Sequence, residues 1–258
     1  MNRIVYRSMA IVFALQITVG AYGWGITGHR AVGYIASKHL TKKAQKQIFE
    51  ILDGRSLAYV GSWMDEIKSD PKYDHTQPWH YCTIPDGMTY ESAGTPAEGD
   101  VIVVIERLLK ELESKNFTDG DEATTLKLLI HLIADVHQPL HVGNGKDRGG
   151  NGVQVSWFWR KTNLHKVWDV DMIDHKRWSA TEMALEFDIA PPAMIEKWQH
   201  SDVRQWAIES KDLRDQIYTM PENHKLGWDY IYRNWNVVEL RILQAGIRLA
   251  GVLNGIYG

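Results

Sequence analysis

Residues 129–141 read L-I-H-L-I-A-D-V-H-Q-P-L-H, and the spacing of their polar members decides the fold. His131 and Asp135 stand four apart, which on a helix places them on one face. Their neighbours Leu132, Ile133 and Ala134 are apolar, so this face points into the protein. A carboxylate is rarely fully buried unless it is paired or bound to a metal. Pro139 stops the helix, and His141 opens the loop beyond it. His137 is offset from that face and reads as structural.

Working outward, apolar residues recur at three and four over 28–53, 56–69, 97–115, 121–138, 180–187, 192–218 and 223–256, which read as helices. Thr41 suits the start of a second helix within the first span, and Asp121 can cap its own. The segment 71–96 is rich in Pro, Gly and Thr and reads as loop, and N-G-K-D-R-G-G-N at 144–151 is turn-rich. One alternating run follows, a short β-hairpin near 152–162. No repeat, low-complexity stretch or linker divides the chain. The expectation is an all-α, mainly helical fold with a single domain over 24–258.

The start of the chain has a different character. Arg3 and Arg7 precede an apolar run from Met9 to Val19, with Ala21 and Gly23 at the small-residue spacing of a cleavage site. Residues 1–23 therefore read as an export signal. Cleavage after Gly23 frees the α-amine of Trp24 in W-G-I-T-G-H. That amine and its adjacent carbonyl oxygen can chelate a metal in a five-membered ring, with His29 near enough to add an imidazole. An ordinary signal before an ordinary apolar residue is the competing reading.

Composition narrows the field. The formal net charge is −3, and removing Arg3 and Arg7 leaves 27 basic against 32 acidic residues, or −5. That balance excludes a nucleic-acid binder relying on a basic surface. A polyanionic substrate must be drawn by bound cations, local Lys and Arg, or aromatic stacking. Trp and His are both numerous, at 11 each. Cys82 is the sole cysteine, so no intramolecular disulfide forms and stability must come from packing. No second apolar stretch is long enough to span a bilayer, so a soluble mature protein is expected. Asn116-Phe117-Thr118 matches a glycosylation sequon, for which chance suffices.

A second four-residue pair, His165 and Asp169, lies in N-L-H-K-V-W-D-V-D. Either pair alone also fits a hydrogen-bonded helical pair. Two together, with extra His, fit the imidazole and carboxylate set of catalytic zinc. Asp65 in S-W-M-D-E-I-K and His80 in Q-P-W-H-Y-C are further candidates, each near Trp. His39, His75, His175, His200 and His224 lack partners at ligand spacing.

The ordered set W-G-x-x-G-H, S-W-x-D, W-H, H-x3-D-x5-H, G-G-N and N-L-H-x3-D resembles the zinc-dependent S1–P1 nuclease family, with matches from residue 24 to 169. The resemblance implies a phospholipase C/P1 nuclease-like helical fold holding three Zn2+ ions. Asp65, His80, His131 and Asp135 would hold one. Trp24, His29 and Asp135 would hold a second, with Asp135 bridging. His141, His165 and Asp169 would hold the third. Lys68 matches a basic family position near the phosphate, Tyr81 an aromatic one that stacks a base, and Asn151 a polar one. Asn151 is equally a turn residue, and Lys68 a solvated helical lysine.

The implied activity is hydrolysis of single-stranded DNA and RNA to 5′-phosphates, with 3′-nucleotidase activity. By that resemblance, the ions held by these residues would supply Lewis acidity, acidifying water for in-line attack on phosphorus and offsetting charge on the leaving 3′-oxygen, with Lys68 assisting. Family members often carry an Asp two residues after the stacking aromatic, where this chain has Thr83, which leaves base preference open. The plant and fungal relatives carry disulfides that one cysteine cannot make, so a bacterial, secreted or periplasmic, monomeric member is expected. A zinc-dependent phospholipase C and a non-catalytic exported zinc-binding protein are the alternatives.

Overall fold

The computed structural model describes residues 24–258. The export-signal reading lies on residues 1–23, outside the described residues. The chain folds as helices around one apolar core, as the 3.6-residue periodicity predicts.

The first span splits into α1 (Ile26–Lys38) and α2 (Lys42–Ile51). Thr41 makes the break, its Oγ1 accepting the Ala44 N–H at 3.1 Å. Two single turns follow, α3 (Leu57–Val60) and α4 (Trp63–Glu66), then a 3-10 turn at Ile67–Ser69. Residues 71–96, read as loop, contain more structure than expected. Asp70 caps a 3-10 run over Pro71–His80, with Pro71 at its first position, and α5 (Tyr90–Ala93) opens on a capping box of Thr89 and Ser92.

The central pair is α6 (Val101–Ser114) and α7 (Glu122–Val136), packed against each other. Asp100 accepts the Ile102 and Val103 N–H groups at 3.0 and 3.2 Å, and Asp121 accepts that of Thr124 at 2.8 Å. From Leu128 to Val136 every residue of α7 is buried. Leu128, Leu129, Leu132 and Ile133 are inaccessible, each contributing about 1.5–3 kcal/mol through removal from water. The helix that carries His131 and Asp135 is thus among the most deeply held in the molecule.

Two short strands, β1 (Cys82–Thr83) and β2 (Val142–Gly143), pair in parallel, β1 one residue beyond His80 and β2 directly after His141. The hairpin of β3 (Gln154–Trp157) and β4 (Arg160–Asn163) falls where expected, its two-residue tip Phe158–Trp159 at φ +43° and +72°. β5 (Lys225–Leu226) adds to β3 in parallel. Those two residues lie inside the span read as helix from 223.

The segment after the hairpin winds through α8 (Leu164–Lys166), a π-turn (Val167–Asp171) and α9 (Met172–Lys176). Then comes α10 (Ala180–Phe187), capped by Ser179 with Glu182. The span 192–218 is three helices: α11 (Pro192–Gln199), α12 (Val203–Asp212) and α13 (Arg214–Tyr218). Asp202 restarts the chain by accepting the Gln205 N–H at 3.0 Å.

The 30-residue α14 (Trp228–Tyr257) runs about 45 Å and packs on α1, α2, α7, α10 and α11. Gly246 permits its approach to α1, since a Cβ there would lie 2.6 Å from Ile35 Cβ. Arg241 and Arg248 reach from α14 into the interior. Arg241 donates to the His137 carbonyl at 3.1 Å and to Ser210 Oγ at 2.6 Å, and Arg248 grips Glu209. The C-terminus of α7 is thereby fastened from outside. Among the described residues, no helix is long and apolar enough to cross a membrane.

Candidate metal centre

Eight of the sequence-predicted ligand side chains converge. His29, His131 and Asp135 form one group, Asp65, His80 and His131 a second, and His141, His165 and Asp169 a third. Within each group the candidate donor atoms all lie within 4.8 Å of one another. His131 belongs to two groups, so the first two adjoin.

Asp135 is the hinge between them. Its Oδ1 lies 3.4 Å from His29 Nε2, while Oδ2 lies 2.8 Å from His80 Nδ1 and 3.1 Å from His131 Nε2. The His29 and His131 rings stack at 4.0 Å, and those of His141 and His165 at 5.1 Å. In the third group His165 Nε2 stands 3.1 Å from Asp169 Oδ2, and His141 Nε2 3.9 Å from Oδ1. The helical i, i+4 spacing does what the sequence promised for both pairs.

The far nitrogens of three histidines are committed to backbone. The Nδ1–H of His131 donates to the Gly61 carbonyl at 2.7 Å, that of His141 to His80 at 2.6 Å, and that of His165 to Gly149 at 2.6 Å. Each bond fixes the tautomer and aims Nε2 inward, as in metal-ligating imidazoles. Gly149 earns its place here. Its φ is +60°, and a Cβ would stand 2.2 Å from the Leu140 oxygen. The G-G of G-G-N therefore delivers a carbonyl to His165 where a larger residue would collide.

Buried polar atoms ordinarily find partners. Here His29 Nδ1 and Nε2, His80 Nε2, Asp135 Oδ1 and His165 Nε2 are buried without a hydrogen bond. These orphaned atoms cluster on the candidate ligands, and nitrogen with carboxylate oxygen is the donor set that suits zinc. The residues present fit a metal group.

The buried carboxylates and imidazoles shift one another's protonation. Burial raises Asp135, but His131 and His141 overcome it and hold the carboxyl well below its usual range. Burial likewise opposes ionisation of Asp65, which His131 and Lys68 pull below normal. Burial pushes His80 down to about 4, so its ring is neutral and able to ligate near neutral pH. His29 is also depressed, first by burial and then by His131. His131 and His165 end above the usual value, because carboxylates outweigh their burial.

The other predicted residues fall as follows. Trp24 is wholly buried, five residues before His29 and next to Gly25, whose N–H donates to the Asp169 carbonyl at 2.6 Å. Lys68 Nζ lies 2.5 Å from Asp65 Oδ1, at the rim of the second group. Tyr81 follows His80 directly and is 45 % exposed. Asn151 is not brought to the ligands by any contact of its amide; Nδ2 donates to the Arg148 carbonyl at 3.0 Å, a turn bond. His137 faces away, donating from Nδ1 to the Ile133 carbonyl and accepting at Nε2 from Arg248. His39, His75, His175, His200 and His224 join none of the three groups.

The sequence reading missed Gln138. It is buried, with Nε2 2.5 Å from Asp169 Oδ1 and Oε1 2.6 Å from the Leu140 nitrogen. Its only local signal is a polar residue in an otherwise apolar stretch, directly between His137 and Pro139.

A mainly helical fold around three histidine–carboxylate groups, each able to hold a metal ion, is an architecture suited to metal-dependent chemistry. Comparison with known proteins specifies it. The family model for the S1/P1 nucleases matches residues 24–258. Endonuclease 3 of Arabidopsis thaliana is 34 % identical over 96 % of this chain and 94 % of its own. Nuclease S1 of Aspergillus oryzae is 33 % identical over 67 % of this chain and 61 % of its own, and nuclease P1 of Penicillium citrinum 24 % identical over 91 % and 98 %. The chain belongs to the S1/P1 nuclease family, and with it to the hydrolases that act on phosphodiester bonds.

Proposed function

We propose that this protein is an exported zinc-dependent endonuclease that cleaves single-stranded DNA and RNA to 5′-phosphate products and also removes 3′-phosphates from nucleotides. The observation that carries the reading is the convergence of eight side chains into three adjoining groups inside a member of this family. Asp65, His80, His131 and Asp135 would hold one zinc ion, and His141, His165 and Asp169 another. His29 and Asp135 would hold the third together with the amine and carbonyl of Trp24, once the chain begins there. Bound, the ions would supply Lewis acidity, acidifying water and neutralising phosphate oxygens.

The chain's own residues do the rest. Asp135 presents Oδ1 to His29 and Oδ2 to His80 and His131, and its low pKa keeps it anionic near neutral pH. Lys68 places a cation at the rim, where charge grows on phosphate oxygens in the transition state. Tyr81 offers an exposed ring on which a base can stack. Such a platform favours unpaired strands, since pairing hides the base faces. Asn151 would add a hydrogen bond to the phosphate by releasing its turn contact. A polyanion reaches this acidic protein through these local elements rather than through its net charge.

The test uses the chain beginning at Trp24, incubated with single-stranded DNA, RNA, 3′-AMP and phosphatidylcholine, with and without chelator. Chelator-sensitive release of 5′-phosphates from both nucleic acids, and of phosphate from 3′-AMP, is the expected result. Cleaved lipid with inert nucleic acid would move the activity to the phospholipases. Bound zinc without turnover would leave a metal-binding protein. Size-exclusion chromatography with light scattering should show a monomer.

A further inference from the structure

Gln138 stands at the end of α7, wholly buried, between the two ligand-bearing pieces of the third group. Its Oε1 accepts the Leu140 N–H at 2.6 Å, and its Nε2 donates to Asp169 Oδ1 at 2.5 Å. The pair of bonds fixes which end of the amide is which, since only NH2 can donate to a carboxylate and only the oxygen can accept. One side chain thus does two things. It caps the 3-10 turn Pro139–His141 that carries His141, and it holds the Asp169 carboxylate from across the fold.

The consequence is an asymmetry in Asp169. Oδ1 is engaged by Gln138 and stands 3.9 Å from His141 Nε2. Oδ2 lies 3.1 Å from His165 Nε2 and carries no such amide contact. We propose that Gln138 is the positioning residue of the third metal group, making Asp169 a one-oxygen ligand through Oδ2 while setting the turn that aims His141. Hydrogen bonds to ligating carboxylates commonly orient them in this way, and their loss lowers metal affinity by about 10–100-fold. The helix end itself does not call for glutamine, because Arg241 already takes the His137 carbonyl. What calls for it is the unpaired demand on both sides, the Leu140 donor and the Asp169 acceptor. The inference rests on the third group being a metal site.

Two variants test it, in the full chain beginning at Trp24. Gln138→Glu keeps the shape and the acceptor for Leu140 but brings no donor to Asp169. Gln138→Met keeps the volume and removes both bonds. Zinc per chain after dialysis and stepwise affinities against a competing chelator are the readouts, with circular dichroism to confirm the fold. The wild type should bind three ions, and both variants should hold two at unchanged affinity and the remaining one 10–100-fold more weakly. Three ions at wild-type affinity in either folded variant would overturn the proposal. So would equal weakening of all three ions, the signature of a merely structural role. A wild-type chain that takes up two ions but never a third sinks the metal reading of this group, and the inference with it.

Discussion

The backbone N–H of Gly25 donates to the carbonyl of Asp169 at 2.6 Å, joining the first turn of the described chain to the segment that carries the third group. The Gly25 carbonyl in turn accepts from Gly28 and His29, opening α1. One residue therefore ties His29 to Asp169, with buried Trp24 just before it. In this setting an α-amine at Trp24 differs sharply from a peptide nitrogen, which has no available lone pair. A chain that keeps Gly23 ahead of Trp24 should hold one zinc ion fewer and hydrolyse DNA about 100-fold or more slowly. Metal analysis and rates on the two purified forms decide it; equal zinc and equal rates would remove Trp24 from the ligand set.

Asp135 faces two groups with two oxygens, so neutralising it should damage both. Asp135→Asn keeps the volume and loses the negative charge that faces His29, His80 and His131. Hydrolysis should fall about 10³-fold, equivalent to roughly 4 kcal/mol of lost transition-state stabilisation, and zinc content should drop. Full activity in this variant would sink the bridging arrangement.

What the sequence made legible follows from which contacts are local. His131 with Asp135, and His165 with Asp169, were readable because helical geometry alone brings i and i+4 together. Asp65 and His80 stood out as candidates beside Trp, but grouping them with His131 and Asp135 needed the family resemblance, since nothing local says that the turns bearing them meet α7. Gln138 and the Gly149 carbonyl were invisible for the same reason: their partners lie 31 and 16 residues away. The break at 200–202 carried a legible cap in Asp202 but was hidden by apolar periodicity running through it. β5 was misread because its pairing with Ser156 and Trp157 is a long-range ladder inside a helix-like run.

Tyr81 should matter for binding more than for chemistry. Its ring is exposed beside His80 but supplies no atom to the three groups. Stacking of a base contributes roughly 1–3 kcal/mol, so Tyr81→Ala should raise KM on single-stranded oligonucleotides by about 5- to 150-fold with kcat little changed. Tyr81→Phe should restore it. A fall in kcat at constant KM would instead place the ring in the reaction itself.

Gly149 couples stability to the site. Alanine there meets the Leu140 oxygen and is strained at φ +60°. The backbone term alone costs about 1–3 kcal/mol. For a domain of this size that lowers the melting temperature by roughly 2–12 °C. The displaced carbonyl also frees His165 Nδ1, so zinc affinity should weaken along with stability. A Gly149→Ala protein with unchanged melting and unchanged zinc would show that the loop can yield.

His137 gives the acid side of the stability curve a specific source. Burial, then Arg241 and Arg248 beside it, hold its pKa well below the ordinary imidazole value. Its Nδ1–H already donates to Ile133 and its Nε2 accepts from Arg248, so a second proton has no place to go. In the unfolded chain the ring takes a proton below about pH 6.5, whereas the folded chain leaves it neutral. Its contribution is therefore complete above that pH and is lost as pH falls, at up to about 1.4 kcal/mol per unit. Replacing it with Gln, which offers a neutral donor and acceptor, should flatten this limb. As pH falls below about 6.5, chelator-treated wild type should lose more stability than chelator-treated His137→Gln in urea unfolding. Parallel pH profiles for the two proteins would mean that His137 is protonated in the fold, and that Arg248 is held by Glu209 and Ser201 without it.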